Sequence, residues 1–210
     1  MPVAPKPGLF LFGLPGQAAG PIGDARFADR LDIADQYALT PGLLAGRRAL
    51  ITTMHQDQRW LRRHADVLLS FLEGGGTVIA QGQVAVPWLP MLPPYVPLDR
   101  PRLAMLEVKR VLDHPVFAGI DPSALNMRKG VRGFYGRGHN PPPAGATIIQ
   151  VLGAGLPLDW QIAVGAGTLF MHSGNDLWTN MADPAANLQL ADQLLDWSIG
   201  LQPAQAPHGQ

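Results

Sequence analysis

Short apolar runs alternate with amphipathic stretches along this chain. Gly8–Phe12 (GLFLF), bounded by Pro7 and Gly13, is uniformly apolar and predicts a buried strand. Ala49–Thr53 (ALITT) predicts a second, and Gln36–Leu39 has weaker strand character. From Asp57 to Glu73 the period changes. Trp60, Leu61, His64, Val67, Leu68, Phe71 and Leu72 make one stripe at a period of about 3.6 residues, which predicts a helix. Asp57 supplies its N-cap and Gly74-Gly75-Gly76 its stop. Thr77–Gln81 (TVIAQ) is apolar again. Ala49 to Gln81 therefore predicts a βαβ unit, its two strands parallel and near neighbours, its helix on one face.

Beyond Gln81 the pattern loosens. Val84–Pro101 has prolines at 87, 90, 93, 94, 97 and 101, which forbid both helix and central strand. It predicts a long ordered loop, either a flap over the strand ends beside Gln81 or a surface arm through which two copies could associate. Leu103–Val108 and Gly130–Tyr135 are candidate strands, and Asp113–Ile120 is turn-like. Thr147–Leu152, Asp159–Val164 and Thr168–His172, separated by glycine turns, predict an antiparallel meander. Asp183-Pro184 opens a helix that runs to about Ile199, with Leu188, Ala191, Leu194, Leu195 and Ser198 on one face. The succession predicts an α/β three-layer sandwich, with a mostly parallel central sheet and an added antiparallel meander. One domain over 1–201 and a frayed tail over 202–210 fit the length.

Composition narrows the chemistry. The 210 residues hold no cysteine, which removes disulfides, thiolate metal sites and cysteine nucleophiles. No apolar run is long enough to span a bilayer, and the N-terminus makes a poor signal peptide, so a cytoplasmic protein without membrane partners is expected. Net charge is zero but uneven. All Lys and Arg lie at or before Arg137, and the acids after it are Asp159, Asp176, Asp183, Asp192 and Asp196. Either the two parts neutralise each other across the fold, or the basic part receives an anion or another copy.

The basic cluster is Met127–Asn140 (MRKGVRGFYGRGHN), where Phe134 and Tyr135 stand among Arg128, Lys129, Arg132 and Arg137. A sequence pI near 7.0 argues against a dedicated nucleic-acid binder. A solvated hairpin or a contact for a small anion or protein fits better.

In open α/β sheets, ligands bind at the carboxyl ends of the strands. The residues that follow the predicted strands nominate His55, Gln81, Gln83, His172, Asn175 and Asp176 as ligand-binding candidates. A His/Asp hydrolytic or metal-assisted centre built from His172 and Asp176 with His55 and Asp57 is the sharper alternative. The plainer alternative is that these side chains satisfy loop backbone groups. His64 and His114 read as structural. No metal site and no cofactor are expected.

FLEGGGTVIA (71–80), GAGTLFMHSGNDLW (165–178) and ADPAANLQLADQLLDWSIG (182–200) carry a resemblance. The order of elements over about 40–200 looks like the class I glutamine amidotransferase-like, flavodoxin-like superfamily. The first motif resembles especially its ThuA-like branch, and the last two resemble uncharacterised bacterial domains of that kind. The resemblance places the nucleophile turn at Ala80–Gln83, without the required cysteine. It places the paired histidine at His172, but Gly174 stands where the acid is expected. Gln81 replaces the histidine frequent in the ThuA-like branch. The resemblance thus implies a non-catalytic member that binds a small polar ligand or a protein partner, with no glutaminase activity.

Overall fold

The computed structural model describes residues 4–201, so the tail at 202–210 lies outside the described residues. The main-sheet strands are β1 (Gly8–Phe12), β2 (Leu31–Asp35), β3 (Ala49–Thr52), β4 (Thr77–Gln81), β5 (Val108–Arg110), β6 (Thr147–Leu152), β7 (Pro157–Val164) and β8 (Gly167–His172). They lie in the order β2-β1-β3-β4-β8-β7-β6-β5. The pairs from β2 through to β8 are parallel; β8, β7, β6 and β5 then pair antiparallel. The expected βαβ unit is present, with β3 and β4 directly paired.

Alternation along the central strands sorts side chains into two cores. Phe10, Ile51, Ile79 and Phe170 face one side, with α4 (Pro184–Ser198) packed on it through Leu190, Leu194 and Leu195. Leu9, Leu11, Leu50, Val78, Ala80, Leu169 and Met171 face the other, against α2 (Gln58–Arg63) and α3 (Ala65–Glu73). A one-turn helix, α1 (Pro41–Leu44), flanks this second core. The result is the α/β sandwich with a largely parallel sheet and an antiparallel meander.

Several expected elements need correction. The helix from Asp57 breaks at His64, whose φ of −112° and ψ of 21° are non-helical. The His64 ring stacks on Trp60 at 4.1 Å and its Nδ1 lies 2.9 Å from the Trp60 carbonyl. Asp57 caps as expected, accepting from the backbone N–H groups of Arg59 and Trp60. Gln36–Leu39 is no strand: Gln36–Ala38 is a 3₁₀ turn capped by Asp35, and the strand lies just before it as β2. Leu103–Leu106 is likewise a 3₁₀ turn that precedes β5. Gly130–Tyr135 is a tight hairpin instead, Met127–Arg128 pairing with Val131–Arg132 about Lys129-Gly130.

The Pro-rich segment packs inward. Val84, Trp88, Leu89 and Leu92 are buried in the core that α3 shares, beside Trp160 and Met171. It therefore lies on a sheet face, where a helix would otherwise sit. A short ladder, Val96–Pro97 with Gly138–His139, ties its end to the basic segment. The charge asymmetry is partly neutralised internally, because Arg30 pairs with both Asp192 and Asp196 of α4.

Candidate functional site

Strand register lines up a row of polar side chains. Arg110 on β5 pairs with Gln150 on β6, Gln150 with Asp159 on β7, Asp159 with His172 on β8, and His172 with Gln81 on β4. Paired residues point to the same face of a sheet, so this row crosses five neighbouring strands. His172 and Asp159 have no solvent exposure. His172 Nδ1 lies 2.5 Å from Asp159 Oδ1. The other carboxylate oxygen accepts from the Tyr135 hydroxyl and from the Gln150 amide, each at 2.8 Å. Three donors thus hold one buried carboxylate, which is what a buried acid requires. Burial, reinforced by Asp159, pushes the Tyr135 phenol well above its usual range.

The site candidates do not converge as one crevice. Gln81 is buried and works as a clamp: its amide donates to the Thr52 carbonyl at 2.7 Å, and its oxygen accepts from the Leu177 N–H at 2.7 Å. Asp176 likewise holds loops together, accepting from the Met54 N–H at 2.6 Å. Its carboxyl is raised to about 6 by burial, against the opposing pull of that hydrogen bond and of His55 and His172. His55 is exposed on the loop after β3. The acid that His172 meets is Asp159, not the Asp176 of the alternative His/Asp centre. His114 is structural, accepting from the Val116 N–H and reaching Gln161.

Gln83 and Asn175 do meet. Together with Ser173, Gly174, Val131, Gly133, Phe134, Gly136 and Arg137 they line a crevice of about 350 Å³. The strand-end loops supply one wall and the basic segment the other. Asn175 joins the walls, its amide donating to the Phe134 carbonyl at 2.8 Å. Arg137 is held by the Gly133 and Arg132 carbonyls at 3.2 Å each, which fixes its guanidinium at the crevice. Gly174 separates the crevice from the buried row: a Cβ there would sit 2.7 Å from His172 Nε2 and 1.7 Å from the Tyr135 carbonyl. That Nε2 is buried without a hydrogen-bond partner. Among the described residues no group of three or more His, Asp or Glu side chains could hold a metal ion.

Asp159 and Gln150 were not singled out from the sequence, and Tyr135 and Arg137 entered only as members of the basic cluster. The available signal was an acid inside an apolar strand, Leu158-Asp159-Trp160, which a buried sheet tolerates only with partners.

The two motifs of the basic segment and the strand ends therefore define an α/β domain with a polar crevice at the strand-end edge. No protein-family model matches the sequence. No curated protein matches it either. Solved structures do. The cytoplasmic protein STM3548 of Salmonella typhimurium aligns at a TM-score of 0.56 and 13% identity, over 91% of this chain and 98% of that one. The cytoplasmic protein STM1381 of Salmonella typhimurium LT2 aligns at 0.55 and 11% identity, over 93% and 99%. A β-galactosidase from the haloarchaeon Halorubrum lacusprofundi aligns at 0.50 and 16% identity, over 96% of this chain but 31% of its own. At these identities the likeness is one of fold. No helix in the described residues is long and apolar enough to cross a membrane.

Proposed function

We propose that this chain is a non-catalytic, cytoplasmic, amidotransferase-like domain that binds a small polar anion in the crevice between Arg137, Gln83, Ser173 and Asn175. The strand order β2-β1-β3-β4-β8, all parallel, supports the flavodoxin-like reading. The cytoplasmic assignment draws on the names of the two Salmonella proteins. The observation that carries the non-catalytic reading is Gly82, in the turn where the superfamily places its nucleophile. Its φ is +95°, and a Cβ there would lie 2.6 Å from the Met54 backbone, so position 82 accepts no side chain, and its neighbours Gln81 and Gln83 are amides, not nucleophiles. In the crevice, Arg137 supplies charge, the amides and the Ser173 hydroxyl supply directional hydrogen bonds, and Phe134 and Val131 supply an apolar wall.

The test is a calorimetric and thermal-shift panel of phosphate, sulfate and small carboxylic acids on wild type, Arg137→Ala and Asn175→Ala. Saturable binding that falls at least about tenfold in Arg137→Ala is the expected result, as for loss of a charge-assisted hydrogen bond. Binding untouched by both substitutions would remove the crevice from the reading.

The Asp159–His172 contact favours one second reading, a hydrolase with an atypical His/Asp site, since an acid orienting an imidazole is the usual arrangement of a general base. Its Nε2 lies behind Gly174, so this reading requires the Gly174 loop to move. Hydrolytic turnover on nitrophenyl esters that disappears in His172→Ala would establish it in place of the first.

A further inference from the structure

The two non-glycine residues with positive φ among the described residues are Arg100, at +42°, and Lys129, at +47°. Both are cations, and their segments are joined through Arg137, whose carbonyl accepts from the Leu98 N–H and whose guanidinium donates to the Arg132 carbonyl. Lys129 and Gly130 form the two-residue turn of the Met127–Arg132 hairpin, with φ of +47° and +80°. That turn favours Asn or Gly at its first central position, because at positive φ a Cβ crowds the backbone, which Gly avoids and Asn offsets by local hydrogen bonding. Arg100 stands in the segment from Leu98 to Leu106, which is tied to the basic segment at both ends. Leu98 N–H donates to the Arg137 carbonyl at 2.9 Å, and Leu106 packs onto Gly133.

This face is charged and partly apolar. Arg100, Arg102, Lys129 and Arg132 are exposed and Arg128 is half-buried. The ion pairs made by Lys and Arg among the described residues involve Lys6, Arg26, Arg30 and Arg47, and so none of these five. The acid within these segments is Asp99, and Glu107 follows directly after Leu106. Between the cations stand exposed aliphatic side chains: Leu103 at 64%, Val131 at 47% and Met127 at 43%. The aromatic rings that could stack on bases are withdrawn. Tyr135 is buried, and the Arg128 guanidinium covers the Phe134 ring at 4.4 Å.

We propose that this face, built by Leu98–Leu106 and Met127–Arg132, docks an acidic segment of a partner protein that also carries aliphatic side chains. Strained backbone retained at two positions, each occupied by an unpaired cation, marks the charge as the reason those residues are there. Unpaired cations give the face complementarity to acidic side chains, and Leu103, Met127 and Val131 supply the apolar contacts between them. Withdrawal of Phe134 and Tyr135 removes the stacking platform that a single nucleic-acid strand would use. The face shares Val131 with the rim of the Arg137 crevice, but Arg100 and Lys129 lie outside the crevice lining.

The probe is a fluorescent synthetic peptide of alternating glutamate pairs and leucines, followed by anisotropy at low and moderate salt. Its comparators are an all-glutamate peptide, a thymidine oligonucleotide, and phosphatidylcholine vesicles containing about a quarter phosphatidylserine. The variants are Lys129→Asn and Arg100→Asn, singly and together. Asparagine tolerates the left-handed backbone, so the double variant should melt no lower than wild type. It should nevertheless bind the glutamate-leucine peptide about tenfold or more weakly, with a shallower salt dependence. Wild type should prefer that peptide to every comparator. Binding unchanged in the double variant overturns the proposal, as does tighter binding to the oligonucleotide or to the vesicles. Small-anion binding should survive in the double variant, so failure here is separable from failure of the crevice reading.

Discussion

At Asp176 a single carboxyl joins two strand ends at an energetic cost. It is buried, bonded to the Met54 N–H, and raised to about 6. An unfolded aspartate titrates near 3.9, so the folded chain holds this proton more tightly. The stability this group contributes is full below about pH 4 and is lost as pH rises through about 6, up to about 3 kcal/mol. Asp176→Asn keeps an oxygen acceptor for Met54 without the buried charge. It should raise stability at pH 7.5 by about 1–2 kcal/mol and make little difference at about pH 4.5. Urea denaturation at the two pH values checks this; a loss of stability at pH 7.5 would mean that the ionised carboxylate itself is needed. The same residue shows what the sequence could and could not disclose. Strand-end logic drew attention to His172 and Asp176, but their partners are set by register. Asp159 faces His172 only because β7 and β8 pair as they do, and no local pattern carries that information.

Among the elements, the Pro-rich segment is the one whose role is decided by packing. Its prolines exclude a helix, yet Val84, Trp88, Leu89 and Leu92 fill the position over the meander that a helix would fill. Leu92 is fully buried, so Leu92→Ala should cost about 2–5 kcal/mol. Thermal unfolding measures the loss, and size-exclusion chromatography should show no change in assembly state. A dimer that dissociates in this variant would return the segment to the role of an intermolecular arm. Elements with strong periodicity were legible: β1, β3, β4, the meander and α4 stand near where the pattern places them. β2 was missed because an edge strand reading LDIAD buries only Leu31 fully and carries two acids. The break at His64 was hidden because the apolar stripe runs on through it, while Trp60 holds the ring and its carbonyl approaches Nδ1.

The whole molecule divides into a parallel half and an antiparallel half that meet where β4 pairs with β8. Both cores cross this seam, and α4 reaches back so that Arg30 grips Asp192 and Asp196. Native-state hydrogen exchange should therefore be slowest in β1, β3, β4 and β8, and fast by several orders of magnitude in the 127–132 hairpin, whose ladder is two residues long. Mass-spectrometric exchange gives the map. Equal protection in the 127–132 hairpin would show the basic face to be part of the rigid body.

The β4–β8 seam also has a bearing on how the chain leaves the ribosome. About 85 residues separate the two strands, so the seam is a long closure whose entropy must be met before its hydrogen bonds form. While Pro-rich segment and meander are still being synthesised, β4 presents a bare, apolar, parallel-competent edge to the cytosol or to a neighbouring nascent chain. Translation that stalls before β8 emerges would leave that edge open, and such products would be the sticky ones.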